Sequence, residues 1–267
     1  MISDTLFIQF KDLFYSLSGI ALKDYKKYLV EYRLQKFIGE GKQFAGYKDL
    51  YDALVSGYDS ELRREFVDAL TTNYTYFFRE PEHFAFLAYY LKQYAPRQEY
   101  LRFWSAACST GEEPYSIAIM VKKHLPSAFS NVKILATDIS DKVLSIAQRR
   151  EYSLEKIQKT MSHDTVKKYF KRAKNEALAK VSQEISDMVV FKKLNLMDPY
   201  PFTKQFDIVF LRNVLIYFEN SEKEYIINKI ASTLKPGGYL VVGLAESLVG
   251  VRHNLKQLKY SIYRKEP

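Results

Sequence analysis

The chain has a single cysteine, Cys108, in 267 residues. It cannot form an internal disulfide, which suits a reducing cytosol. No apolar run approaches the roughly 20 residues that a membrane-spanning helix needs. The opening MISDTLFIQFKDLF alternates charged and apolar residues at helical spacing and lacks the apolar stretch of a signal peptide. Together these features predict a cytoplasmic protein with no membrane insertion. Its four histidines (His83, His124, His163, His253) are scattered, and none pairs with Cys108 at a ligand spacing, so no metal site is expected. There is no GxSxG elbow for a serine nucleophile. There is no full GxGxxG, which makes a phosphate-rich dinucleotide a poor candidate ligand. No internal repeat or low-complexity tract is visible.

The chain does carry a net charge of +9 and enough apolar residues, 47%, to bury a proper core. The basic balance is compatible with nucleic acid, anionic lipid or an acidic protein surface, and equally with a plain solvated surface. The charge is uneven: Lys23, Lys26, Lys27, Arg33 and Lys36 fall in one predicted helix, which favours a partner-binding face. That surface also leaves room for an anionic regulator.

Residues 1–72 read as a small helical domain. Leu6, Phe7, Phe10, Leu13 and Phe14 form one apolar stripe, and Leu22, Tyr25, Leu29, Tyr32 and Phe37 a second, ended by Gly39 and Gly41. Tyr47–Val55 and Glu61–Leu70 give two more helices. TTNYTYFFRE (71–80) is a linker before a helix that starts at Pro81. Residues 81–267 then alternate strands and helices, which predicts a parallel sheet covered on both faces. Strands are expected at Leu101–Ala106, Val132–Ala136, Val189–Leu194, Phe206–Leu211 and Tyr239–Gly243, with a closing antiparallel strand at Lys259–Arg264. The repeat is interrupted over about 160–195. There Val166–Arg172 and Leu178–Gln183 predict a small antiparallel β-subdomain, a hairpin joined to Val189–Leu194. The fold class is thus α/β, a Rossmann-like sheet with an N-terminal helical domain and an inserted β-subdomain.

The densest chemical signal is LRFWSAACSTGEEPY (101–115) followed by ATDIS (136–140). A small-residue loop between strand and helix lets a ligand approach the backbone, and Asp138 stands where the next strand ends, as a ribose-binding acid does. A ribose without phosphate points to S-adenosylmethionine. Glu112 and Glu113 lie in a helix's first turn, where they suit either the helix dipole or a ligand ammonium. Asp138 can equally cap a helix. Arg212 and Asn213 follow the strand FDIVFL, at the edge that normally faces the ligand crevice. Asp198-Pro199-Tyr200 is similar to the motif of amino-group methyltransferases, but that motif belongs after FDIVFL, so here it reads as a turn. The aromatic runs favour interdomain packing over base stacking.

The chain resembles the CheR-type chemotaxis receptor methyltransferases over nearly its whole length. The resemblance rests on TTNYTYFFRE, FWSAACSTGEEPYSIA, ATDIS, Asn195-Leu196, LRNVLIYF (211–218) and LKPGGYLVVG (234–243). It implies methyl transfer from S-adenosylmethionine to glutamate side chains on chemoreceptor cytoplasmic helices, yielding methyl esters and S-adenosylhomocysteine. It also implies cofactor contacts by Asn73, Thr75, Arg79, Glu113, Asp138, Asn195, Leu196, Arg212 and Asn213. Arg79 and Tyr217 would lie beside the transferred methyl, and Lys26, Lys27 and Arg33 on a receptor-docking helix. An ionised carboxylate needs orientation rather than a general base. Three departures stand out. Cys108 replaces a usual alanine or glycine. Gly243-Leu244-Ala245-Glu246 lacks the histidine of the GHSE type. The turn at Lys171–Ala177 is short and free of glycine, which argues against binding a pentapeptide tether. The rival readings are a methyltransferase for another acceptor such as RNA, with nucleic acid the less favoured partner, and a non-catalytic cofactor-binding module.

Overall fold

The computed structural model describes residues 1–94, 99–125 and 131–266. Helix α1 (Asp4–Ser18) begins because the Ser3 hydroxyl accepts from the Leu6 N–H at 3.2 Å, and it stops at Gly19, whose φ of 74° few other residues adopt. It buries Leu6, Phe7, Phe10 and Phe14. Helices α2 (Lys27–Leu34), α3 (Tyr47–Ser56) and α4 (Ser60–Leu70) close over that stripe. Phe10 and Phe14 meet Phe66 of α4 at ring separations of 5.8 and 6.1 Å. Truncating any of these three rings to alanine would cost about 3–5 kcal/mol.

The second helix departs from expectation. Leu22–Phe37 is not one helix; α2 is flanked by 3₁₀ turns at Asp24–Lys26 and Gln35–Phe37. Val30 and Leu34 make its buried face, whereas Tyr25 and Tyr32, expected inside, are 73% and 71% exposed. Aromatic rings satisfy a helical period as well as aliphatic ones, so periodicity alone picked a mixed face.

After the linker come α5 (Pro81–Gln93), β1 (Leu101–Ala106), α6 (Glu112–His124), β2 (Val132–Asp138) and α7 (Asp141–Arg149). A small insertion follows: β3 (Glu151–Ser153), α8 (Leu154–Gln158), α9 (His163–Tyr169), β4 (Phe170–Arg172), β5 (Leu178–Val181) and α10 (Gln183–Ser186). The chain ends with β6 (Val189–Lys193), β7 (Phe206–Leu211), α11 (Asn220–Thr233), β8 (Leu234–Val242), β9 (Leu255–Gln257) and β10 (Ile262–Lys265).

The large sheet has the order β6-β2-β1-β7-β8-β10-β9. Its first five strands are parallel, and β10 and β9 are added antiparallel at one edge. Strand β7 is buried along its whole length, as a strand covered on both faces must be. The sequence did not indicate β9. Strand order reverses between β1 and β7, and in open α/β sheets a ligand crevice lies at the carboxyl ends of such strands.

The small sheet, β3-β5-β4, is antiparallel as expected, but its limits differ. It begins at Glu151, and β6 pairs with β2 of the large sheet rather than joining the hairpin. Val166–Tyr169 is helical: Ser162 caps α9 by accepting from the Thr165 N–H, a start signal ahead of the apolar residues. No helix among the described residues is long and apolar enough to cross a membrane.

Candidate active site

A cleft of about 1160 Å³, counting its open mouth, lies between the helical part and the carboxyl ends of β1, β2 and β7. Asn73, Thr75, Arg79, Glu113, Asp138, Asn195, Leu196, Arg212, Asn213 and Tyr217 all line it, and so does Lys26. Lys27 and Arg33 do not. The helical part is tied to the cleft's far side: the Ala21 N–H donates to the Tyr217 carbonyl at 3.0 Å, and the Asn195 side-chain amide donates to the Leu17 carbonyl at 3.2 Å.

The floor is a strained loop. Ala107 and Ser109 have φ of 63° and 50°, in the left-handed region. The Cys108 N–H donates to the Thr137 carbonyl of β2 at 2.8 Å, and the Ser109 N–H donates to Asp138 at 2.8 Å. The second Asp138 oxygen accepts from the Ser140 N–H at 3.0 Å. Burial pushes the Asp138 carboxyl up, and these backbone N–H groups oppose that. Each oxygen keeps a lone pair for a further donor. Gly111 closes the loop at φ 95°; a Cβ there would stand 2.7 Å from the Ala147 Cβ. Cys108 is buried, and burial pushes its thiol well up, with the Asp138 and Glu113 carboxylates adding to the effect. It is a packing residue, and its small side chain fits the position.

Arg212 differs from expectation. Rather than reaching freely into the crevice, its guanidinium is 2% exposed and bridges two carboxylates, Glu113 at 2.8 Å and Glu80 at 3.0 Å, while also donating to the Arg79 carbonyl. Glu113 accepts in addition from the Ser105 hydroxyl at 2.6 Å. Glu80 accepts from the Asn213 side chain at 3.1 Å and the Leu244 N–H at 3.1 Å. Burial pushes the Glu80 carboxyl up, but Arg212 and these donors outweigh it and hold the group below its ordinary range. Glu80 therefore locks the linker to the end of β7. Sequence reasoning did not single it out; the signal was an acid between Arg79 and Pro81 facing an Arg-Asn pair after FDIVFL.

Glu246 was likewise missed. Its carboxylate is buried and accepts from the N–H groups of Gly243, Asn213 and Leu215, each at 2.7 Å. It holds Asn213 at φ 58°. Leu244 stands where the GHSE-type histidine was expected and serves the site through its backbone N–H.

Arg79 lies over the rings of Tyr74 and Tyr76 at 5.7 and 5.8 Å and donates to the Tyr74 carbonyl at 3.0 Å. Phe78 and Glu80 on either side have φ of 55° and 58°, so the linker backbone is itself held in unusual geometry. Burial pushes the Tyr217 hydroxyl up, against the pull of Arg79 and Arg33. Tyr217 is therefore a protonated donor near neutral pH.

The expected docking cations are mostly occupied. Lys27 pairs with Asp4 at 2.6 Å. Arg33 clamps the start of the linker, donating to the carbonyls of Leu70 and Thr71 at 2.7 and 3.0 Å and to the Thr72 hydroxyl at 3.2 Å.

Comparison with known proteins decides the family. "CheR methyltransferase, SAM binding domain" matches residues 73–264, and "CheR methyltransferase, all-alpha domain" matches residues 5–71. The chain belongs to the CheR family. It is 37% identical over 262 residues to a chemotaxis protein methyltransferase of Vibrio parahaemolyticus, covering 97% of this chain and 94% of that one. A Salmonella typhimurium chemotaxis protein methyltransferase is 38% identical over 251 residues, covering 92% and 85%. One from Borreliella burgdorferi is 37% identical over 260 residues, covering 94% and 90%. As a CheR protein the chain is an S-adenosylmethionine-dependent methyltransferase.

The cleft fits that cofactor. Asp138 has lone pairs for ribose hydroxyls, and Phe84, Cys108, Leu196 and Val214 give apolar walls. The buried Nε of Arg212 has no hydrogen-bond partner among the described residues.

Proposed function

We propose that this protein transfers the methyl group of S-adenosylmethionine to glutamate side chains on the cytoplasmic helices of chemoreceptors, giving glutamate methyl esters. One observation carries the choice of acceptor. No histidine lines the cleft among the described residues, and its two acids, Glu113 and Asp138, are engaged by Arg212 and by backbone N–H groups. An amine or hydroxyl acceptor would have to lose a proton and would find no base to take it. A glutamate carboxylate is ionised at neutral pH and needs none.

When bound, the cofactor supplies a methyl group activated on a sulfonium. Asp138, Asn73 and the loop at Ala107–Ser109 hold its nucleoside, while Thr75, Asn195, Leu196 and Asn213 shape the surrounding walls. Glu113 and Arg212 set the charge at the inner end. Arg79 and the protonated Tyr217 hydroxyl orient the acceptor carboxylate. The linker at 73–80 joins a docking part, residues 1–72, to a methyltransferase part, residues 81–267, and the protein works in the cytoplasm. Strands 151–181 are too short in their turn to support a pentapeptide tether, so docking is direct.

Arg79→Ala should lower transfer to a purified receptor domain by about 100-fold or more, as expected for losing a charged orienting group. Its affinity for S-adenosylhomocysteine should change by only about a fewfold. Undiminished turnover in that variant would contradict the role given to Arg79.

A further inference from the structure

Lys26 stands apart from the lysines around it. Lys23 pairs with Glu219 and Lys27 with Asp4, both at 2.6 Å. Lys11 takes Asp24 at 2.7 Å, which removes the acid of the very turn that carries Lys26. Lys26 has no carboxylate partner among the described residues. Its side chain lines the cleft instead, with Nζ 5.8 Å from the centre of the Tyr217 ring. Arg79, also on the cleft wall, donates only to a backbone carbonyl and has no acid beside it either. The cleft's own acids are committed elsewhere, Glu113 to Arg212 and Ser105, Asp138 to two backbone N–H groups. Lys26 and Arg79 thus both lie near Tyr217 on the cleft wall without a carboxylate partner, and an entering carboxylate would supply one.

We propose that Lys26 binds the carboxylate of the acceptor glutamate, together with Arg79 and Tyr217, so that the helical part contributes a substrate-binding group to the active site itself. This rests on the glutamate-acceptor reading above. It moves Lys26 from a surface docking contact to a contact with the reacting group. In the transfer, a carboxylate oxygen forms a bond to the methyl carbon as the methyl–sulfur bond breaks, its electron pair passing to sulfur. The negative carboxylate and the positive sulfonium both become neutral, and no proton moves. A cation beside the carboxylate therefore binds the reactant more strongly than the half-neutralised transition state. Loss of Lys26 should fall on KM rather than on kcat.

The test uses the whole enzyme and a receptor cytoplasmic domain. Lys26→Met should raise KM for the receptor roughly tenfold, the scale of one charge-assisted hydrogen bond, and leave kcat unchanged or raised by up to about threefold, never lowered. Lys26→Arg should restore most of the loss, and S-adenosylhomocysteine affinity should stay as in the wild type. Receptor affinity is then measured with the acceptor glutamates intact or changed to glutamine. Lys26→Met should weaken binding of the glutamate form and leave the glutamine form unchanged. An unchanged KM overturns the proposal. So does equal weakening on both receptor forms, which makes Lys26 a docking contact, or lost S-adenosylhomocysteine affinity, which makes it part of the cofactor pocket. If wild-type enzyme puts no base-labile methyl on the receptor, the glutamate reading itself fails, before any variant is compared, and the Lys26 proposal falls with it.

Discussion

Arg212 sits at the centre of the site's electrostatics. A guanidinium this deeply buried is tolerable only because Glu80 and Glu113 neutralise it and the Arg79 carbonyl accepts from it. Glu80→Gln should therefore destabilise the protein by about 2 kcal/mol at neutral pH, less than breaking an isolated buried pair because Glu113 remains. The loss has a pH signature. The Glu80 carboxyl is held below its ordinary value of 4.5 in the folded state, so its stabilisation is complete above that pH. It fades as pH falls through the lower, folded value. Denaturant melts at several pH values should show wild type and Glu80→Gln converging below pH about 4.5; a constant gap would rule out the ionic origin. Most cleft residues were legible from sequence, because a small-residue loop and polar groups at strand ends are local signals. The burial of Arg212 was not. It depends on Glu80 and Glu113, 132 and 99 positions away, meeting at one point.

At the scale of elements, six of the seven strands of the large sheet were legible because each is a short apolar run bounded by turn residues. Strands β3 and β9, of three residues each, carry too little pattern to read. The Leu22–Phe37 stripe was misread because Tyr25, in the 3₁₀ turn before α2, and Tyr32, on α2, keep helical spacing yet point to solvent. Arg33 is the consequential case. Sequence suggested a docking charge; in the fold it ties α2 to the start of the linker that carries Asn73, Thr75 and Arg79. Arg33→Ala removes these bonds, each worth about 1 kcal/mol net or somewhat more to a charged donor. It should lower kcat/KM about tenfold with a small change in melting temperature, because the linker is released while the helical core stays packed. Unchanged kinetics together with weakened receptor binding would return Arg33 to the docking surface.

On the scale of the whole molecule, the cleft belongs to neither part alone. Asp138, Glu113, Arg212 and Tyr217 line it from β2, α6 and the segment after β7, Arg79 from the linker, and Lys26 from the helical part. The backbone bond from Ala21 to Tyr217 and the side-chain bond from Asn195 to Leu17 hold these contributions in one geometry. A sequence read segment by segment identifies the parts; the shared cleft exists only once they are packed. The central claim is that the cleft delivers methyl to a carboxylate. The most direct measurement is mass-spectrometric mapping of a chemoreceptor cytoplasmic domain after incubation with the protein and S-adenosylmethionine. We expect the added methyl on glutamate residues and its loss in mild base, as an ester requires. Methyl found on lysine or another base-stable site, or none at all while S-adenosylhomocysteine still binds, would contradict it.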